Sequence, residues 1–290
     1  MTLTLKTALR LGRVSNVPTV WTNVAAAMAL CHTPFRPSLF VAVSFAMTVQ
    51  YIGGMYLNDA FDERWDRINR PMRPIVEGMV AARTVFTIGF ALVTLGLVTM
   101  AALAAFGVVG WLSVGLTALL GALIVYYDFH HKGNPLGPLI MGLCRVGVYL
   151  VAGFATANPT SELYVGAGLL LGHLIGLTYI AKHETRGQLL RLWPVLFFAP
   201  ALLWGAFLQP PWLIAGAIYF AYTLRAGIAP ALGWGNQGRP DPGKAVPGLI
   251  AGISLLDAMF VSETRNYIAV ALCFAAFALT RFWQRHVPGT

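Results

Sequence analysis

Runs of about 20 residues without a charge decide what this chain can fold into. Apolar segments lie at about 17–31, 38–60, 82–106, 108–127, 136–156, 162–182, 192–208, 211–229, 246–262 and 266–284. Most have the length that a helix needs to cross a bilayer. Only 11% of the residues are charged and the mean hydropathy is +0.68, whereas a soluble domain carries about 25% charged residues. Backbone groups in lipid must be satisfied within helices or closed barrels. A barrel strand alternates apolar and polar residues, and runs such as VAAAMAL and FAAFALT do not. The expected fold is all-α: one polytopic bundle of nine to ten transmembrane helices over residues 1–290, with short connections and no soluble domain. The segment at 246–262 contains Asp257 and reads as either a span or a re-entrant helix.

The basic residues give the orientation, because Lys and Arg collect in cytoplasmic loops. Lys6, Arg10 and Arg13 precede the first segment. Arg64 to Arg83, Lys132, Lys182 to Arg191, and Arg239 with Lys244 follow the second, fourth, sixth and eighth. On the other side only Arg36 and Arg265 occur. The N-terminus is therefore expected in the cytoplasm, as an amphipathic helix at the interface; the expected location is a bacterial cytoplasmic membrane. The same distribution accounts for the net charge of +9, so no nucleic-acid partner is inferred. Cys31, Cys144 and Cys273 have neither disulfide nor CxxC metal spacing.

Against this background the run YLNDAFDERWDRINRPMRPIVEG, 56–78, stands apart. Five of the eleven acidic residues fall in it: Asp59, Asp62, Glu63 and Asp66 close together, threaded with Arg64, Arg67, Arg70 and Arg73, and Glu77 near its end. Asn58, Asp62 and Asp66 are spaced i, i+4, i+8 and form one helical stripe that drifts by about 40° per step. Like charges at i, i+4 repel, so a compensating positive charge is expected. Local pairs such as Asp62 with Arg67 or Asp66 with Arg70 are one source. A divalent cation is the other, and it explains better why the carboxylates share a stripe. Mg²⁺ takes oxygen ligands, and one or two carboxylates plus substrate phosphates suffice. Arginines then suit the outer oxygens of a diphosphate.

NDAFDERWD resembles the NxxxDxxxD motif of the UbiA family of membrane prenyltransferases, and INRPMRPI resembles the N-R-P-x-R-P tail that follows it. The resemblance runs from the first segment through roughly the sixth. It implies a helical bundle of about nine spans with a central cavity open to the cytoplasmic side. It also implies an isoprenoid diphosphate as donor, Mg²⁺ bridging the motif aspartates to it, and transfer of an allylic carbocation to an acceptor. Asn58, Asp62 and Asp66 would be the metal and diphosphate residues, with Asp59 as a further ligand and Arg67, Arg70 and Arg73 in support. In YYDFHHKGNPLGPL, 126–139, Lys132 matches the family's diphosphate-contacting basic residue; an ordinary positive loop is the alternative. His130 and His131 are adjacent and diverge by about 100° on a helix, poor geometry for zinc.

The family's second motif, DxxxD followed by Gly, is replaced by LTYIAKHETRGQ. Aligning Gly187 puts Tyr179 and His183 where the aspartates belong. Glu184 is the one carboxylate nearby, and Lys182 and Arg186 flank it. Either Glu184 holds a second Mg²⁺, or Lys182 and Arg186 replace that metal as fixed charges, or the diphosphate chemistry is lost. The pattern resembles the UbiA-like proteins of Ebo-type clusters. Asp62, Asp66, Lys182 and Glu184 are thus the catalytic candidates. In RLGRVSNVPTVWTN, Asn16 and Asn23 share a helix face; each is read as a substrate contact or an interhelical hydrogen bond. His173 and Asp257 read as satisfied core groups, and the aromatics chiefly as core or interfacial belt, with some free to shield a carbocation. The functional expectation is Mg²⁺-dependent prenyl transfer to an unidentified acceptor in the membrane. The alternative is a UbiA-like carrier of a lipid-linked intermediate. A CDP-alcohol phosphotransferase is discounted because DAFDERWD lacks a D-G-x-x-A-R element.

Overall fold

In a computed structural model the structure describes residues 3–182, 193–207, 213–234 and 237–287, and these are helical throughout apart from turns and loops. A short helix, α1 (Leu5–Leu11), is capped by the Thr4 hydroxyl accepting from the Thr7 amide. The bundle follows: α2 (Pro18–Leu30), α3 (Pro37–Phe61), the short α4 (Glu63–Asn69), α5 (Ala82–Ala105), α6 (Trp111–His130), α7 (Gly137–Ala155) and α8 (Ser161–Lys182). Beyond it lie α9 (Ala199–Ala206), α10 (Leu213–Thr223) running through a π-turn into α11 (Ala229–Ala231), α12 (Pro242–Ser262) and α13 (Tyr267–Trp283). Proline opens α2, α3, α7 and α12, where its missing N–H costs no helical hydrogen bond.

Seven helices among the described residues are long and apolar enough to cross a membrane. Two of the expected segments are shorter than the sequence reading drew them. The first is the 13-residue α2, about 20 Å long at 1.5 Å per residue, because Gly12 and Arg13 break the chain before it and Pro18 starts it afresh. The other, 192–208, is a 3₁₀ turn at Trp193–Phe198 followed by the eight-residue α9. The segment around Asp257 is a full-length helix of 21 residues.

Helices α2 and α12 form the centre. α2 packs on α3, α7, α12 and α13, while α12 packs on α2, α8, α10 and α13. Both are almost wholly buried. At one end of the bundle, Asn158 and Thr160 bond the carbonyls of Cys31 and Leu30. At the other end lie the ends of α3, α6 and α8. Helices α3 and α5 pack along one another, where Gly53, Gly89 and Gly96 let the backbones approach. A Cβ on Gly96 would lie 2.7 Å from the Ala46 carbonyl oxygen, and backbone cannot give way cheaply. Gly96→Val is expected to destabilise the fold by about 1–3 kcal/mol, read as a lower melting temperature of the detergent-solubilised protein.

Candidate active site

Helix α3 ends at Phe61, and Asp62 caps it before α4 begins. The hydrogen-bond ladder nevertheless continues: the Asp62 amide donates to the Asn58 carbonyl at 3.0 Å, and the Asp66 amide to the Asp62 carbonyl at 2.8 Å. The stripe seen in the sequence therefore survives the junction, and all three of its residues are buried.

Their partners come from elsewhere in the chain. Asp62 pairs with Lys132 at 2.8 Å and faces His131 Nε2 at 3.5 Å, not Arg67. Lys132 also lies over the Trp65 ring, 3.8 Å from its centroid, a favourable cation–π contact. Burial pushes the Asp62 carboxyl pKa up, but the bonds and charges of His131 and Lys132 outweigh it, so the carboxyl sits below the usual range and stays ionised. Asn58 donates to Asp128 at 3.1 Å and accepts from Arg13 at 3.2 Å. The Asp66 side chain makes no hydrogen bond or ion pair with the described residues. Burial raises its pKa, and the charges of Asp62 and Asp59 add to the shift against the opposing pull of Arg73.

Arg13 enters with φ of 42°, a left-handed conformation uncommon for a non-glycine residue. Its side chain bonds Asp59 at 2.9 Å; burial lowers the guanidinium pKa, but Asp59 together with Tyr51, Asp128 and Asp62 outweighs it and holds the pKa up. Arg73 reaches the same Asp59 oxygen at 3.5 Å. Burial, then the Arg13 charge, lowers the Arg73 pKa. Lys182, at the end of α8, donates to the Asn134 carbonyl at 2.6 Å.

These groups, Asp59 and Asp66 excepted, rim a cavity of about 770 Å³, within the range of ligand pockets; Asp66 lies one helical turn beyond Asp62, just outside the lining. Arg13, Asn16, Asn58, Asp62, Arg70, Arg73, Lys132 and Lys182 line it, with Tyr51, Trp65, Tyr127, Asp128 and Arg145. Met47, Leu120, Ile124, Leu174 and Leu177 make apolar walls. The acidic run, the 126–139 loop and Lys182 thus meet at one rim.

Three expected roles change. Asp59, one residue on from Asn58 and so rotated by about 100°, is the shared counter-ion of Arg13 and Arg73 and is absent from the cavity lining. Arg67 is at the surface, pairing with Glu63 at 2.6 Å with a side chain 60% exposed. Asn23 is fully buried and spans Arg145 and Asp257 at 3.0 and 2.8 Å, an interhelical bridge away from the cavity. Asn16 does line the cavity and accepts from Gln284. Glu184, Arg186 and His183 lie outside the described residues. His173 is held between the Tyr219 hydroxyl and the Leu249 carbonyl. Arg13, Asp128, His131 and Arg145 also line the cavity, and none of them is among the site residues expected from the sequence. Of these, Arg145 had a signal: a lone arginine inside an apolar span is a functional-site hypothesis in its own right.

The UbiA prenyltransferase family model matches residues 17–237. Among curated proteins, digeranylgeranylglyceryl phosphate synthase of Methanopyrus kandleri is 33% identical over 126 residues, covering 42% of this chain and 44% of that protein. The enzyme of the same name from Methanosarcina mazei is 35% identical over 123 residues, covering 41% and 40%. The matched stretch thus spans less than half the length of these relatives. Among solved structures, a UbiA homolog from Archaeoglobus fulgidus bound to GPP and Mg²⁺ superposes with a TM-score of 0.64 at 14% identity, over 91% of this chain and 99% of that one. A digeranylgeranylglyceryl phosphate synthase structure superposes with a TM-score of 0.62 at 20% identity, over 90% and 98%. At these identities the likeness is one of fold.

Proposed function

The chain belongs to the UbiA prenyltransferase family, and from that premise we propose that it moves a prenyl group from an isoprenoid diphosphate to an acceptor in the cavity, with Mg²⁺ held by Asp62 and Asp66. The observation that carries this reading is the state of the two carboxylates. Among the described residues the buried Asp66 carboxylate has no ion-pair partner, and Asp62 is met by Lys132 and by the His131 ring from another loop. Among the described residues no three His, Cys, Asp or Glu side chains form a metal cluster. That donor set fits Mg²⁺, which takes one or two carboxylates and completes its octahedron with substrate phosphates and water. Asn58 is a positioning residue, its amide spent on Asp128 and Arg13.

In the reaction the bond between the allylic C1 and the diphosphate oxygen breaks, and the electron pair leaves with the diphosphate. The acceptor's nucleophilic atom bonds to C1 and loses its proton to solvent. Bound Mg²⁺ supplies positive charge to the leaving group. Arg13 and Arg73, clamped by Asp59, and Lys182, clamped by Asn134, add fixed cations at the same rim. Lys132 exchanges Asp62 for a phosphate oxygen. The apolar walls exclude water from the cation, and the faces of Tyr51 and Tyr127 shield it. The relatives named above make a phosphorylated glyceryl lipid the first acceptor to try. Glu184 and Arg186 remain candidates for completing the rim from the α8 side.

The direct test is binding of a geranyl thiolodiphosphate to the purified protein. Saturable binding with Mg²⁺, lost on adding EDTA, is expected; binding indifferent to EDTA removes the metal from the site. The cytoplasmic orientation of the rim has its own check. In a background without Cys31, Cys144 and Cys273, Leu136→Cys should resist an impermeant maleimide applied from outside the cell, whereas Ser161→Cys should label. The reverse pattern turns the bundle over.

A further inference from the structure

The inner part of the cavity holds a second charged group that the diphosphate site does not use. Arg145, on α7, is 9% exposed and lines the cavity. Its Cζ lies 5.1 Å from the centroid of Tyr51 on α3. Tyr51 precedes Asp62 by 11 residues of nearly continuous helix, a rise of about 16 Å. Arg145 therefore lies some three helical turns deeper than the carboxylates at the rim.

Its surroundings hold it in place without consuming it. One amino group donates to the Asn23 side-chain oxygen at 3.0 Å. The Asn23 amide donates in turn to Asp257 at 2.8 Å, and the Tyr149 hydroxyl bonds the other Asp257 oxygen. A donor-only guanidinium on one side and a carboxylate on the other fix which way the Asn23 amide points. Asp257 reaches Arg145 only through that amide, and among the described residues no carboxylate lies within ion-pair distance of Arg145. Among the described residues its Nε and second amino group make no hydrogen bond and are not sealed away in protein, and the side chain lines the cavity. A guanidinium stays charged at any physiological pH, and a buried charge without a partner is costly. Two free N–H edges of a planar fork match an oxyanion.

We propose that Arg145 is a second anion-binding site, taking the carboxylate or phosphate head of the acceptor while the diphosphate occupies the rim. The proposal rests on the prenyltransferase reading for the word acceptor; the anion site itself does not. It restricts acceptors to those carrying an oxyanion on an apolar body short enough to fit within the cavity. The Asn23–Asp257–Tyr149 chain is the support that keeps the fork aimed.

The test begins with the protein saturated with Mg²⁺ and geranyl thiolodiphosphate, so that the rim is filled. Hexyl phosphate, hexanoate and neutral hexanol are then titrated by calorimetry. Both anions should bind, and Arg145→Gln should weaken them by about 10- to 100-fold, the effect of one charged hydrogen-bonded partner. Hexanol should be unaffected, and the tighter anion names the acceptor's head group. Arg145→Lys keeps the charge and a donor for Asn23 but not the fork. It should cost the anions several-fold, which preserves the test if the glutamine variant fails to fold. Equal anion affinity in the parent and these variants, or an equal loss for hexanol, overturns the site. If the thiolodiphosphate itself does not bind, the prenyltransferase reading fails, and the same titration is run with Lys132→Gln as control. Weakening by the Arg145 changes alone still supports the deep site; weakening by Lys132→Gln alone overturns it.

Discussion

Asp62→Ala and Asp66→Ala are each expected to abolish Mg²⁺-dependent binding of a prenyl thiolodiphosphate and to lower turnover by about three orders of magnitude or more. Removing one preorganised group that stabilises developing charge costs about 10²–10³, and here the loss takes a metal with it. Asp66→Asn sharpens the test, because its effect on the metal-free protein has the opposite sign. Burial raises the Asp66 pKa in the folded state, so its ionised form weakens the fold above the usual carboxylate range. The penalty vanishes at lower pH, where Asp66 is protonated folded and unfolded alike. Asp66→Asn should therefore raise the melting temperature of the Mg²⁺-free protein at neutral pH, and lose that advantage near pH 3. A merely structural aspartate gives a loss of stability instead. Arg67→Ala is the control: its pair with Glu63 is exposed and such pairs contribute little, so binding and turnover should stay near the parent's.

Lys182→Ala is expected to lower turnover by about two to three orders of magnitude with a smaller effect on donor binding. The family pattern puts two aspartates near this point, where the chain has Tyr179 and His183. The positive charge that a second metal would bring must then come from side chains. Lys182 is held by the Asn134 carbonyl, and no carboxylate among the described residues pairs with it, so its charge acts on the leaving group. A fixed cation in a low-dielectric pocket acts strongly on a diphosphate. Single-turnover kinetics checks this, because they separate donor binding from ionisation. Equal rates in parent and variant show that the rim completes its charge without Lys182.

The bundle was legible because a bilayer imposes a length, and apolar runs of that length are visible without any knowledge of tertiary contacts. The exceptions have local causes. Gly12 and Arg13 cut the first helix short, and a 3₁₀ turn at Trp193–Phe198 replaces part of the seventh. In the site, the Asn58–Asp62–Asp66 stripe was legible because i, i+4 spacing is a property of one helix. Its cations were not. Local pairing with Arg67 and Arg70 is what spacing suggests, yet Asp62 pairs with Lys132, 70 residues away in sequence, and Arg13 reaches Asp59 across 46. Such pairings depend on how α2, α3 and α6 dock, which no spacing encodes. Asp59 shows the same limit at short range: one residue of helical rotation turns a carboxylate from the cavity to the arginines behind it.

Transfer itself is tested most directly by incubating the purified protein with Mg²⁺, radiolabelled prenyl diphosphates of several lengths and an extract containing oxyanion-bearing acceptors. The quantities to follow are pyrophosphate and label in the lipid phase. Prenyl transfer yields one pyrophosphate per prenylated product, with both lost in Asp62→Ala. Protein that binds the donor tightly, yet releases no pyrophosphate with any donor and acceptor, contradicts transfer and makes the chain a carrier of its ligand.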